Sequence, residues 1–188
     1  MGLDTMMMQG KLNRIISGQL VLWLFGITNC VYLAIIFYSI PAVLEQAPEM
    51  KLFDMSPGGY SYEYATQLLE AIGPEGREKY LMLQLPIDFI YPGLFAVTYT
   101  LMLIWVFSKS FNAESKIFIM ALVPAAAGLL DYMENIGIVM MIKSYPNLSS
   151  GLVQFTSTFS ILKSIMTIAS YILLTYGLLL LAVKRKHR

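Results

Sequence analysis

Apolar residues crowd into four stretches, each near or above the ~20 positions that span a ~30 Å hydrocarbon layer. The first covers 20–40 (LVLWLFGITNCVYLAIIFYSI). The second begins at Tyr80 or Ile87 and ends at Phe107. The third covers 117–142, and the fourth about 160–183, with an amphipathic lead-in from Gly151. Backbone groups in lipid have no water to bond, so each stretch predicts a helix that satisfies its own N–H and C=O groups. The predicted fold class is all-α: a polytopic membrane protein forming one four-transmembrane-helix bundle over residues 1–188. Lys11 and Arg14 ahead of the first stretch imitate a signal peptide. The run is too long for such an apolar core and lacks a small-residue cleavage site, so it reads as a retained span.

Between the first two spans, 41–85 is too long to be a structureless loop. Turn chemistry opens it (SPGGYS), Ser61 stands at a capping position, and Ala65, Leu68, Leu69 and Ile72 recur on one helical face. Gly73 and Pro74 stop that helix, and PEGREKY starts another segment leading into the second span. The pattern predicts a helical cap on the outer membrane surface. In the third span, Ala121, Ala125 and Gly128 offer a close approach to another helix, and Pro124 predicts a kink.

Composition agrees with lipid as the solvent. The chain is 57% hydrophobic and only 13% charged, against about 25% for a soluble domain; its mean hydropathy is +0.63. A net charge of +1 gives no basic field for nucleic acid. The single cysteine, Cys30, excludes an intramolecular disulfide, and the single histidine, His187, lies in the basic tail. Histidine triads and histidine-ligated zinc are therefore excluded from the core. Eight basic residues (Lys11, Arg14, Lys109, Lys116, Lys184, Arg185, Lys186, Arg188) fall on one side and four (Lys51, Arg77, Lys79, Lys143) on the other. That bias predicts a multi-pass protein of the cytoplasmic membrane with both termini cytoplasmic. The thirteen methionines, with TMMMQ near the start, have no copper-site spacing and read as packing. Many of the twelve tyrosines fall near the outer side, as an interfacial belt would.

One segment breaks the apolar pattern. GLLDYMENIGIVMM places Asp131, Glu134 and Asn135 at i, i+3 and i+4, on one helical face. An ionisable group within a span costs roughly 2.5–3.5 kcal/mol on insertion scales and turns toward protein or water. At ~1.5 Å per residue, Glu134 lies roughly 13 Å below the outer edge marked by Lys143, and Asp131 roughly 18 Å below it. Asp88 precedes Pro92 by four residues in QLPIDFIYP. Proline has no N–H to offer, so the carbonyl of Asp88 is left open. If the second span begins near Tyr80, Asp88 is level with Glu134; if it begins at Pro86, Asp88 is a first-turn acid favoured by the helix dipole. Gln84 lies one turn earlier, Asn29 lies midway along the first span, and Lys163 is placed at the outer edge of the fourth, able to snorkel to water or reach the acids.

Three carboxylates then face one ammonium. Either some acids stay protonated or a cation belongs among them. Oxygen ligands suit a hard cation such as Mg²⁺ or Ca²⁺, but no metal-site spacing is present, and no pattern calls for a cofactor; neither is assigned. The segments GYSYEYATQLLEAIGPEGREKY, DFIYP and DYMEN together resemble a widespread uncharacterised family of small four-span prokaryotic integral membrane proteins. That resemblance, over roughly 52–142, implies the four-helix arrangement with an outer loop between the first two spans, and no particular activity. The residues leave three functions open. The first is an outward-facing acidic pocket that binds or transports a cation or a cationic or lipidic small molecule, with Asp88, Asp131, Glu134, Asn135, Lys163, Gln84 and Asn29 as candidate ligand-binding residues. The second is a lipid-modifying enzyme with Glu134 or Asp131 as acid or base. The third is a structural or accessory membrane subunit held together by the acids. Membrane lipid is the expected partner, and a homo-oligomer stays open because four spans enclose little volume.

Overall fold

The computed structural model describes residues 16–186. Lys11, Arg14, the TMMMQ run, His187 and Arg188 lie outside the described residues. Within them all regular structure is helical, with no strand. Four helices are long and apolar enough to cross a membrane: Gly18–Val43, Gly73–Ser110, Lys116–Ser144 and Ser150–Lys184. Trp23 and Phe37 on the first span are 74% and 75% exposed, an arrangement that suits lipid and not water. The architecture is that of a multi-pass membrane protein. The fourth helix starts earlier than residue 160, and the connection between the first two spans is shorter than 41–85, because helix runs on past the apolar cores of these spans.

Two spans change pitch. Ser17 opens the first, its hydroxyl accepting from Leu20 N at 3.1 Å, and the helix widens into a π turn over Ile35–Ser39 before Ile40–Val43. The second starts as Gly73–Lys79, passes through a π turn at Tyr80–Gln84 and continues as Leu85–Ser110. Single π turns inside α-helices gather at functional sites, and here the two face each other: Ser39 Oγ donates to Gln84 Oε1. The early start of the second span is therefore the one observed, and Asp88 is no free first-turn acid. The third span begins as a 3₁₀ segment, Lys116–Leu122, and becomes α over Val123–Ser144. Pro124 marks that change at the start of the α segment, where its missing N–H costs little.

The second span is central. The first packs chiefly on it, the third and fourth pack on each other, and both touch the second. The third and fourth come closest at Gly137, where an added Cβ would lie 2.2 Å from Thr156 Oγ1. Gly128 likewise backs onto the Pro92 carbonyl, where a Cβ would lie 2.7 Å away, as the small-residue pattern predicts.

The connection over 44–72 is a packed cap and no tether. Ser61 Oγ accepts from Tyr64 N at 3.2 Å and starts the helix Tyr62–Ala71. Its Ala65, Leu68 and Leu69, with Ile72, Leu52 and Phe53, are fully buried against Ile138, Met141 and Val153 of the last two spans. Each large apolar side chain so buried stabilises the cap by about 1.5–3 kcal/mol. Gly59, at φ 78°, carries the chain against the fourth span, and Tyr60 N donates to Ser157 Oγ at 2.8 Å.

Candidate functional site

The helical spacing of DYMEN turns Asp131, Glu134 and Asn135 inward together; they are 8%, 0% and 0% exposed. Facing them on the fourth span is a polar stripe at helical spacing: Thr156, Ser160, Lys163 and Thr167. Lys163 Nζ lies 2.9 Å from Asp131 Oδ1 and 2.5 Å from Glu134 Oε2. Ser160 Oγ donates to Glu134 Oε1. Of its two sequence-level options, Lys163 takes the inward one: it lies thirteen residues into its helix and bridges both acids.

Asp88 is held differently. Pro92 leaves the Asp88 carbonyl without its helical donor, and Asn135 Nδ2 supplies one at 2.9 Å. This bond joins the third span to the second. The carboxyl of Asp88 is 5% exposed, forms no ion pair among the described residues, and its Oδ2 has no hydrogen-bond partner. Asn135 Oδ1 is buried and equally unpartnered. A buried acceptor without a protein donor costs about 1–3 kcal/mol, and more if charged, so neither atom is stabilised by the protein groups around it.

The cap contributes an acid that the sequence reading missed. Asp54, in a 3₁₀ turn at Phe53–Met55, accepts from Tyr80 Oη at 2.6 Å and from Gln84 Nε2 at 2.7 Å. Gln84, fully buried, thereby joins the two π turns to the cap. Beside them, burial pushes the Tyr60 hydroxyl well above its ordinary pKa, and the Glu134 charge adds to this.

These groups surround a cleft of about 280 Å³. Asp54, Met55 and Pro57 line it from the cap side, Asp88, Asp131 and Lys163 from within the bundle, and Tyr32, Ile36, Ile168 and Tyr171 where the first and fourth spans flank it. Tyr91, Phe95, Tyr99 and Tyr171 form an aromatic cluster with ring centroids 4.4–6.1 Å apart, Phe95 stacked on Tyr99 and Tyr171 edge-on to both, and Tyr32 joins Tyr91 at 5.6 Å. Of the predicted site residues, Asp88, Asp131 and Lys163 line the cleft. Glu134, Asn135 and Gln84 stand behind them as supports. Asn29 is not on the cleft wall; its Nδ2 donates to Phe25 O in its own helix at 2.7 Å. No three acidic, histidine or cysteine side chains among the described residues converge closely enough to hold a metal ion.

Asp54 carried a signal of a kind: an acid directly after the apolar pair Leu52–Phe53, in a segment that had to fold back. The Thr156–Ser160–Lys163–Thr167 stripe, at helical spacing, could have identified Ser160. Compared with protein-family models, with curated proteins and with solved structures, the chain matches none.

Proposed function

We propose that the cleft binds a cationic small molecule, and that the protein acts as a membrane receptor or carrier for it. The observation that supports this reading is Asp88. It lines the cleft, is buried, and lacks a counter-ion, because the one ammonium nearby is committed to Asp131 and Glu134. With Asp54, Asp88, Asp131 and Glu134 set against Lys163 alone, a ligand cation restores balance where an anion worsens it. The enzyme reading has less support, since Glu134 is tied to Lys163 and Ser160 behind the wall. The purely structural reading leaves both the cleft and the unpartnered Asp88 without a purpose. Orientation follows from the basic bias: both termini cytoplasmic and the cap outside, so that the cleft is reached from the outer half of the membrane.

Thermal unfolding in detergent across a panel of organic amines and inorganic cations tests the site. A ligand of the native state adds RT ln(1 + [L]/Kd), about 2.7 kcal/mol at a hundredfold excess. The original protein gains that stability with an organic amine. Asp88→Asn, which keeps the backbone bond to Asn135, gains none, and without ligand it is at least as stable as the original. A flat panel for both, with Asp88→Asn simply weaker, removes the proposal. For orientation, cysteines placed at Ser61 and Ser115 in a Cys30→Ser background are probed with an impermeant thiol reagent in intact cells. Labelling at Ser115 and not at Ser61 reverses it.

A further inference from the structure

The cleft does not end at its acids. Ile168 and Tyr171, which line it, also begin a shallow apolar groove of about 440 Å³ that continues along the fourth span through Ile172, Thr175, Tyr176 and Leu179. The Thr175 hydroxyl is tied to the helix's own backbone, donating to Tyr171 O at 2.8 Å, which leaves the hydroxyls of Tyr171 and Tyr176 as the polar groups of a lining that is otherwise aliphatic. From residue 168 to 179 the helix rises roughly 16 Å, about half the ~30 Å hydrocarbon core. That is one leaflet's share, the depth over which a lipid-length alkyl chain extends.

The two features lie end to end. The acidic head region holds one unpartnered carboxyl and an excess of acids, and the groove leaves it along the lipid-facing side. Access from the cap is the poorer route, because Asp54 is clamped by Tyr80 and Gln84. On this continuity we infer that the ligand is a single-chain amphiphilic amine without a phosphate, its ammonium beside Asp88 and Asp131 and its chain along the groove, arriving sideways from the bilayer between the first and fourth spans. A phosphate in the headgroup would meet the surplus acids with only Lys163 to answer them, so charge complementarity disfavours an ordinary phospholipid. This inference rests on the proposed cation site and adds to it the chain, the path and the exclusion of phosphate.

The test measures binding of butyl-, octyl- and dodecylammonium, with dodecylphosphocholine as the phosphate-bearing comparison, to the protein in phosphatidylcholine nanodiscs. Lengthening the chain concentrates any amphiphile in the bilayer, so the decisive comparison is between variants in the same discs. Ile172 is 63% exposed on the groove, and Ile172→Trp fills the groove without disturbing the core. Expected is a loss of about tenfold or more in dodecylammonium affinity for Ile172→Trp, with butylammonium affinity unchanged and dodecylphosphocholine bound weakly by either protein. Asp88→Asn loses both amines. Equal dodecylammonium affinity in the original and in Ile172→Trp overturns the groove while leaving the cation site standing. Dodecylphosphocholine binding as well as dodecylammonium overturns the exclusion of phosphate. No alkylammonium binding at any length overturns the inference together with the function it rests on.

Discussion

Lys163→Met removes the ammonium and keeps much of the side chain's bulk. Lys163, Asp131 and Glu134 have side chains no more than 14% exposed, and the two ion-pair distances are 2.9 and 2.5 Å. A pair of this kind at an exposed surface is worth about 0–1 kcal/mol. Buried, the pair itself adds little net stability, but removing one partner strands charge and costs about 3–5 kcal/mol. Here two carboxylates are stranded, so the upper part of that range applies. If the loss comes from stranded charge and not from lost packing, neutralising one acid recovers part of it. Lys163→Met with Glu134→Gln should be more stable than Lys163→Met alone, with a coupling term of about 0.5–3 kcal/mol between the two sites. The assay is reversible unfolding in mixed detergent micelles of the original, both single variants and the double variant. Lys163→Met within about 1 kcal/mol of the original, or singles that simply add in the double, would refute the reasoning.

Three further outcomes follow from single contacts. Gly137→Ala drives a methyl into Thr156 Oγ1 and should cost about 1–3 kcal/mol; adding Thr156→Ala, which removes the two nearest atoms but leaves the Thr156 Cβ 2.9 Å away, should return part of the lost melting temperature. Asn135→Leu leaves the Asp88 carbonyl without a donor and should cost about 1–3 kcal/mol, whereas Asn135→Gln, which keeps an amide, should cost less. Glu45 is held below its ordinary pKa by hydrogen bonding to, and then the charge of, Lys79. A depressed acid stabilises the fold above its unfolded pKa and loses that effect as pH falls through the folded one, so Glu45→Gln should be weaker than the original at neutral pH and converge with it in acid.

The four spans were readable because lipid permits one solution for an apolar run, and the cap helix because Ser61, the Ala65–Leu68–Leu69–Ile72 face and Gly73 agree on its start, side and end. The link between Asp88 and Asn135 was half readable: Pro92 announces an open carbonyl, and DYMEN announces a polar face at matching depth, but nothing local says that Asn135 is the donor. Lys163 was ambiguous because its neighbours describe only its own helix, and its direction was decided by two acids on another. Asp54 and the tyrosine cluster depend on where the cap and the first span come to rest, which is tertiary information. The π turns carry no composition signal at all; each is one extra residue per turn, and the bond between Ser39 and Gln84 that joins them crosses from one span to the other.

That bond makes Gln84 the position where the cap can be tested apart from the bundle. Its amide orientation is fixed by its partners, with Oε1 accepting from Ser39 and Nε2 donating to Asp54 Oδ2 at 2.7 Å. Gln84→Glu preserves size and the acceptor toward Ser39 but replaces the donor with a second carboxylate oxygen. At the observed separation, two unit charges at an effective dielectric of about 20 repel by about 6 kcal/mol, so the pair must separate or take up a proton. Either response loosens the turn that carries Asp54. The four spans have no such contact to lose and should stay helical. The readout is trypsin cleavage at Lys51, whose N–H and C=O are both bonded to the Tyr64 hydroxyl at 2.9 and 2.8 Å and so are protected while the cap is docked. Gln84→Glu should be cut there several times faster than the original at neutral pH, with unchanged far-UV circular dichroism, and acid should restore protection by protonating one of the pair. Cleavage at the original rate would mean that the cap is held by its apolar core alone and that Asp54 is a passenger on it.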